Sequence, residues 1–455
     1  MRKIERRVRL CTMILLAFVA GIVFFLYRYH TDSKNWYIQT FNGHLYSQKG
    51  ELLAGTICDR NGTVLSTVND KERTYSYSPL IRKSTLHIVG DPNRMIGTGA
   101  IYGLRSYLLT YDEKNGANTL EKQGNTVTLS IDSSACVAAY QALGDLTGCV
   151  GVYNYKTGEI LCLVSTPTFD PQNIPADLET NPAYEGVYVN RFISSTFTPG
   201  SVFKTLVLQA ALEQLPDAET RTYTCEGSIR IGDNVVTCTK SHGPQTLKEA
   251  FANSCNCAFS LIASEIGGET LAQYVAQAGL THSYPFPNFS SAKGSFELAS
   301  ASTYQVGWAG VGLYHDLVNP CSMMIYLGAI ANGGRAALPT FVHSVTAADG
   351  TDIALPPVQM SNQLLLAPTA SRVKFYLMNN IDSVYGHERF PLVPMGAKTG
   401  TIEQKTGKSN CWFTGFLNSD KYPYAFVVYL ENAGSGNRAA GAVAGAVLNA
   451  LIPVP

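Results

Sequence analysis

Three short runs in this chain carry residue types that together can make and break an acyl bond. In Pro199-Gly200-Ser201-Val202-Phe203-Lys204, two helix-breaking residues precede an apolar, helix-patterned stretch from Thr205 to Glu213. This spacing predicts Ser201 at a helix N-terminus, where unpaired N–H groups and the helix dipole favour developing negative charge. Lys204 follows three residues on and shares a face with Ser201. A serine hydroxyl is a weak nucleophile and needs a base. A lysine serves as that base only if burial or nearby positive charge lowers its pKa.

The second run is Ser254-Cys255-Asn256, between a short helical stretch at Leu247 to Ala252 and a clear one at Ala258 to Ile266. A hydroxyl and an amide two residues apart on such a connection can both face a cleft, one to shuttle a proton and one to hold a substrate carbonyl. The third is Lys398-Thr399-Gly400-Thr401, which follows an apolar run and precedes the strand-like Cys411 to Phe416 by a hairpin-sized interval. That context predicts an edge strand, with Gly400 permitting close approach to the backbone and strand N–H groups available to an oxyanion.

Each run alone is weak. Ser-x-x-Lys recurs at Ser290 and Ser371, Ser-x-Asn at Ser33 and Ser435, and Lys-Thr-Gly at Lys156 and Lys405. The spare copies read as surface serines, helix caps, a hairpin turn and a loop between strands. The informative feature is the order of Ser201-x-x-Lys204, then Ser254-x-Asn256, then Lys398-Thr399-Gly400.

These residues need a scaffold. Strand signals at Thr126 to Ile131, at Cys149 to Val164 around a Lys156-to-Glu159 turn, and at three segments from Met395 to Leu430 bracket a helical region from Ser201 to Ala331. Asp132 to Ala142 and Asn437 to Leu451 read as helices. The expected fold is α+β, an antiparallel sheet between helical layers. The polar, mixed stretch 28–124 shows turn signals at Asn61-Gly62 and at Asn115-Gly116, but no nucleophile–base cluster, and reads as a pedestal.

At the N-terminus, Arg2, Lys3, Arg6, Arg7 and Arg9 precede Leu10 to Tyr27, about 18 uncharged residues, close to the minimum for a bilayer span. The charge bias predicts a cytoplasmic N-terminus and an external remainder. A cleaved signal peptide is the competing reading, but Arg28-Tyr29-His30 lacks the small-residue cleavage pattern. The expected organisation is therefore a tail at 1–9, an anchor at 10–27, a pedestal at 28–124 and a catalytic unit at 125–455. Thirty-four basic residues balance 34 acidic ones, so no electrostatic case exists for nucleic acid as a partner. The eleven cysteines match neither a zinc ribbon nor a CxxC motif. Cys225 and Cys238 flank a hairpin at Ser228 to Val236 and are the candidate disulfide, against the alternative that most cysteines are small buried apolar residues.

With the three motifs in this order, the chain resembles a class B penicillin-binding protein, a monofunctional peptidoglycan transpeptidase. The resemblance extends to the basic tail and anchor, Gly55 to Gly62, Val164 to Pro171, Asn319-Pro320, Ala331 to Gly334, and the Trp412 to Phe416 strand. It implies a penicillin-recognising transpeptidase fold and covalent capture of stem peptides or β-lactams on Ser201. Lys204 would be the base, helped by the field of Lys398 and by Ser254 as relay, and neutral at rest because burial and Lys398 disfavour its charge. Asn256 would hold the substrate amide, and Lys398 and Thr399 its carboxylate. The N–H groups of Ser201 and Thr401 would form the oxyanion hole. The resemblance implies no metal or organic cofactor, and suggests a polytopic membrane glycosyltransferase as partner. A β-lactamase, a D,D-carboxypeptidase, a β-lactam receptor and a non-catalytic scaffold share parts of this pattern. The long pedestal, the single span and the intact motif residues argue against them.

Overall fold

A computed structural model describes residues 1–36, 43–47, 50–112, 116–117, 124–404 and 407–452. Helix α1 (Arg2–Trp36) is continuous through the expected anchor. Its apolar side chains, from Leu10 through Phe24 to Tyr27, lie exposed, and it is long and apolar enough to cross a membrane.

Strands β1 (Thr56–Cys58), β2 (Val64–Asn69) and β3 (Glu72–Tyr75) follow, then helix α2 (Pro79–Ser84). The β1–β2 turn is built on Asp59, which is buried. One carboxylate oxygen accepts the N–H groups of Asn61 (3.0 Å) and Thr63 (2.8 Å), and Gly62 supplies the positive φ that the turn needs. The other oxygen accepts from Ser133, through its N–H (3.1 Å) and its hydroxyl (2.6 Å).

Next come β4 (Thr126–Leu129), α3 (Ser133–Leu143), β5 (Gly148–Asn154) and β6 (Ile160–Thr166). Asp132 caps α3 by accepting the N–H groups of Ser134 and Ala135. Helix α4 (Lys204–Gln214) leads to four short strands: β7 (Tyr223–Cys225), β8 (Ser228–Ile231), β9 (Asn234–Thr237) and β10 (Gly243–Gln245). Helices α5 (Leu247–Ala252), α6 (Asn256–Ile266) and α7 (Pro320–Ala331) come next, then β11 (Val342–Thr346), β12 (Asp352–Ile353) and α8 (Ala367–Asn380). The chain closes with β13 (Met395–Glu403), β14 (Ser409–Leu417), β15 (Tyr424–Leu430) and α9 (Gly441–Leu451).

The central sheet has the order β13-β14-β15-β5-β6, every pair antiparallel. Helix α7 covers one face. All twelve of its residues are buried, as expected of a helix that is apolar all round. Asn319 caps it, Pro320 opens it, and Gly328 sits against the Tyr153 ring. Helices α3 and α9 pack together on the opposite face, where Gly441 meets Phe413. This is the expected α+β arrangement of sheet between helical layers.

The second sheet has the order β12-β11-β4-β1-β2-β3 and takes strands from both sides of residue 124. Its β1–β4 pair is parallel. Arg82 on α2 adds a further tie to the later chain. Its guanidinium donates twice to the Asp170 carboxylate, each at 2.6 Å and nearly out of solvent. Burial disfavours the Asp170 charge, but the Arg82 bonds outweigh it and hold that carboxyl down to about 2.

Candidate active site

Ser201 lies on a short 3-10 turn (Gly200–Phe203) that runs directly into α4, so Lys204 is the first α-helical residue. The turn is held from several sides. Gly200 has φ +54 and donates its N–H to the carbonyl of Gly312. A methyl group on Gly312 would stand 2.1 Å from the Gly200 carbonyl oxygen. Trp412 Nε1 donates to the Thr198 carbonyl at 2.9 Å. Asn319, buried at the head of α7, donates to the carbonyls of Phe192, Ile193 and Ser195, upstream of the turn.

Lys204 is completely buried, and its Nζ is the hub of the site. It lies 2.8 Å from Ser201 Oγ, 2.7 Å from Asn256 Oδ1, 2.9 Å from the Ser254 carbonyl and 3.3 Å from Ser254 Oγ. Two of these partners, the amide oxygen and the carbonyl, only accept. A neutral amine has two N–H groups and one lone pair. The two acceptors take both N–H groups, and the lone pair is left to receive the Ser201 hydroxyl proton. Burial pulls the Lys204 ammonium down to about 7, an effect that the neighbouring sulfurs of Cys238, Cys255 and Cys257 oppose only in part.

Lys398 is equally buried. Its Nζ donates to Ser254 Oγ at 3.0 Å and to the Thr399 carbonyl at 3.2 Å, and lies 5.8 Å from the Phe251 ring centroid. Burial drives its pKa well below that of a free lysine, and the charge on Lys204 drives it further. Burial is the largest cause that makes Lys204 a poised base. Ser254 Oγ stands between the two amines as a proton bridge. Ser254 holds φ +54, a conformation L-residues adopt only under constraint, and it sits on a connection fixed by Cys255 N–H donating to the Ala250 carbonyl.

Strand β13 is an edge strand of the central sheet. Gly400 is needed there, but the protein itself uses the space: a methyl group would stand 2.8 Å from the Pro199 carbonyl oxygen. This brings the strand hard against the Ser201 turn. Thr399 is held by Tyr385, whose hydroxyl accepts the Thr399 N–H at 3.0 Å and pairs with Thr399 Oγ1 at 3.0 Å. Tyr385 ends a π-helical turn (Ile381–Tyr385), a feature that recurs at functional sites. Tyr385, Gly312 and Phe251 carry no motif and were not legible as site residues. The structure thus gathers Ser201, Lys204, Ser254, Asn256 and Lys398 in one cluster, with Thr399, Gly400 and Thr401 on the strand beside it.

The spare motif copies lie apart. Ser371 is exposed on α8 and bonds the Ala367 carbonyl. Ser290 is exposed in a two-residue strand, and Lys156 pairs with Asp420 at 2.6 Å. Lys405 and Thr406 lie outside the described residues, as do residues 113–115 of the second expected turn. The expected Cys225–Cys238 bridge is not formed. The hairpin of β8 and β9 does link them, but both are free thiols that converge with Cys255 and His242 rather than with each other alone.

Residues 148–452 match the family model for the penicillin binding protein transpeptidase domain. The chain belongs to that family. Peptidoglycan D,D-transpeptidase PbpA of Mycobacterium tuberculosis is 27% identical over 366 residues, covering 73% of each chain. Stage V sporulation protein D of Bacillus subtilis is 26% identical over 357 residues, 73% of this chain and 54% of that protein. Among solved structures, the D,D-transpeptidase domain of a peptidoglycan glycosyltransferase from Eggerthella lenta superposes with a TM-score of 0.71 at 25% identity, covering 88% of this chain and 97% of that one. The penicillin G acyl-enzyme complex of M. tuberculosis penicillin-binding protein A shares the fold, with a TM-score of 0.72 at 23% identity, covering 88% of this chain and all of that one.

Proposed function

We propose that this member of the family is a peptidoglycan D,D-transpeptidase that works through a Ser201 acyl-enzyme and is captured there by β-lactams. The observation that carries the reading is the 2.8 Å approach of a buried Lys204 amine to Ser201 Oγ, with its other two valences taken by Ser254 and Asn256. Ser201 Oγ attacks the penultimate D-Ala carbonyl as its proton passes to Lys204 Nζ. The N–H groups of Ser201 and Thr401 receive the oxyanion. The proton reaches the departing D-Ala nitrogen through Ser254 Oγ, and the amine of a second stem peptide resolves the ester. Asn256 holds the substrate amide, and Lys398 and Thr399 bind its carboxylate. No metal takes part in these steps.

The same proposal places the tail 1–9 in the cytoplasm, the anchor 10–27 in the membrane, and the pedestal 28–124 and transpeptidase unit 125–455 outside it. The basic cluster in the first turns of α1 and the exposed apolar surface that follows it on the same helix support this. On this reading β4, β11 and β12 complete the pedestal's sheet. A polytopic glycosyltransferase is the proposed partner, met through the span and pedestal.

The test is incubation of the purified chain and of Ser201→Ala with a fluorescent penicillin, followed by denaturing gel over hours. A stable adduct that the variant lacks is expected. Label that forms and is lost within seconds would replace transpeptidase by hydrolase, and no label on a folded chain would end the enzymatic reading.

A further inference from the structure

Four potential metal ligands converge directly behind the Ser254-Cys255-Asn256 connection. They are widely spaced in sequence, as Cys225-x12-Cys238-x3-His242-x12-Cys255, which is why no familiar metal motif is visible. The fold collects them. Cys225 ends β7, and Cys238 directly follows β9. His242 directly precedes β10, whose Gly243 pairs with Cys225, and Cys255 is the N-cap of α6. One donor atom from each lies within 4.8 Å of every other. A tetrahedral zinc with Zn–S of about 2.3 Å sets its ligand sulfurs about 3.8 Å apart, so contraction on the order of 1 Å completes the shell.

We propose that Cys225, Cys238, His242 and Cys255 form a structural site for a thiophilic divalent cation, zinc above all, that clamps the Ser254-Cys255-Asn256 connection. Three thiolates and one imidazole select such a metal over magnesium or calcium, which prefer oxygen. The surroundings suit sulfurs that carry negative charge: the Asn256 N–H points at Cys238 Sγ at 3.2 Å and the Ala258 N–H at Cys255 Sγ at 3.5 Å. His242 Nδ1 is 3.7 Å from Cys238 Sγ, while its Nε2 is buried with no hydrogen-bond partner, so neither a carboxylate nor a backbone carbonyl explains the ring's position. A disulfide between any two of the thiols would leave the third thiol and the imidazole facing it without function. Cys225 and Cys255 are buried, whereas Cys238 and His242 retain some exposure, which leaves the ion a way in. On binding, each of the three thiols gives its proton to solvent and His242 ligates as the neutral ring.

The site reaches the chemistry through two short links. Cys255 lies between Ser254 and Asn256, both of which touch Lys204 Nζ. Asn256 is also tied to the ligand strand, its Nδ2 donating to the Thr237 carbonyl at 3.1 Å. The ion would fix the position of both residues. Only this consequence rests on the proposed function; the site itself does not.

The test uses the full chain in detergent, purified with reductant and zinc. Elemental analysis is expected to find one zinc per chain. Cobalt exchanged into the same protein is expected to give the thiolate-to-cobalt charge-transfer band and the visible bands of a tetrahedral ion. Cys238→Ser and His242→Ala are expected to weaken cobalt binding at least tenfold, and Cys321→Ser, a buried cysteine on α7, to leave it unchanged. Removing the metal is expected to lower Tm and slow labelling by fluorescent penicillin. The wild-type measurements do not depend on whether a variant folds. A folded, penicillin-reactive wild-type chain with under a tenth of an equivalent of metal and no thiolate–cobalt band would overturn the proposal, as would a disulfide among these cysteines in the reduced preparation. Stoichiometric metal in a chain that takes no penicillin would retain the site and remove the transpeptidase reading instead.

Discussion

The rate of acylation should report the proton on Lys204. With that amine at about 7, roughly half the molecules hold it neutral at pH 7. A lysine at 10.5 would be neutral in about 3 molecules in 10,000, so burial raises the competent fraction about 1,500-fold, or on the order of 4 kcal/mol in effective barrier. The second-order rate constant for acylation by a chromogenic cephalosporin, followed by stopped flow, should rise about tenfold from pH 6 to pH 8. It should then rise by only about a tenth between pH 8 and pH 10. An ordinary lysine would give about 100-fold over the first interval and about 75-fold over the second. The upper interval is therefore decisive. A rate that keeps climbing beyond pH 8, or one that is flat from pH 6 upward, would refute the assignment of Lys204 as the buried base.

The same burial has a cost in stability. Between about 7 and 10.5 the unfolded chain binds more protons at Lys204 than the folded one, so this residue's destabilisation is complete below pH 7 and is relieved as pH rises towards 10.5. Lys204→Met, though inactive, should melt at a higher temperature than wild type at pH 6, with the gap closing towards pH 10; calorimetry at both pH values tests the sign. Gly312→Ala should slow acylation more than tenfold by displacing the Gly200 carbonyl, which its methyl would approach to 2.1 Å, while circular dichroism stays that of a folded chain. An unchanged rate would remove Gly312 from the support of the nucleophile. Arg82→Ala should destabilise the chain by about 3–5 kcal/mol, because Asp170 is left as a buried charge without its partner. That penalty should shrink in acid as pH falls below the ordinary carboxylate range towards 2, where Asp170 of the wild type also becomes protonated. Denaturant melts at neutral and acidic pH measure both.

The chemistry was legible because it depends on residue identity at short spacing. Ser201 and Lys204 share one turn, and Ser254 and Asn256 one connection, so local pattern placed them and motif order linked them. The hairpin of β5 and β6 and the capped helix α3 were legible for the same reason. What escaped depends on contacts between distant segments. The pairing of β1 with β4 joins strands about 70 residues apart, and no local periodicity encodes which strand β4 will choose. Tyr385 touches Thr399 through a π-turn that has no sequence signature. The four-ligand cluster escaped for a related reason: its members come from four elements, and adjacent spacing suggested pairing the two cysteines that flank one hairpin.

The parallel pair of β1 and β4 also bears on how the chain carries load. Thr56, Ile57 and Cys58 stand opposite Thr126, Val127 and Thr128, both strands running the same way. With α1 anchored as proposed, tension would reach β1 at its leading end, while the proposed catalytic unit would hold β4 at its trailing end. Parallel strands drawn from opposite ends are loaded in shear, so the bonds between them must rupture together instead of unzipping singly. An enzyme tethered at one end and gripping a taut polymer at the other would meet its pull along the strong axis of this joint.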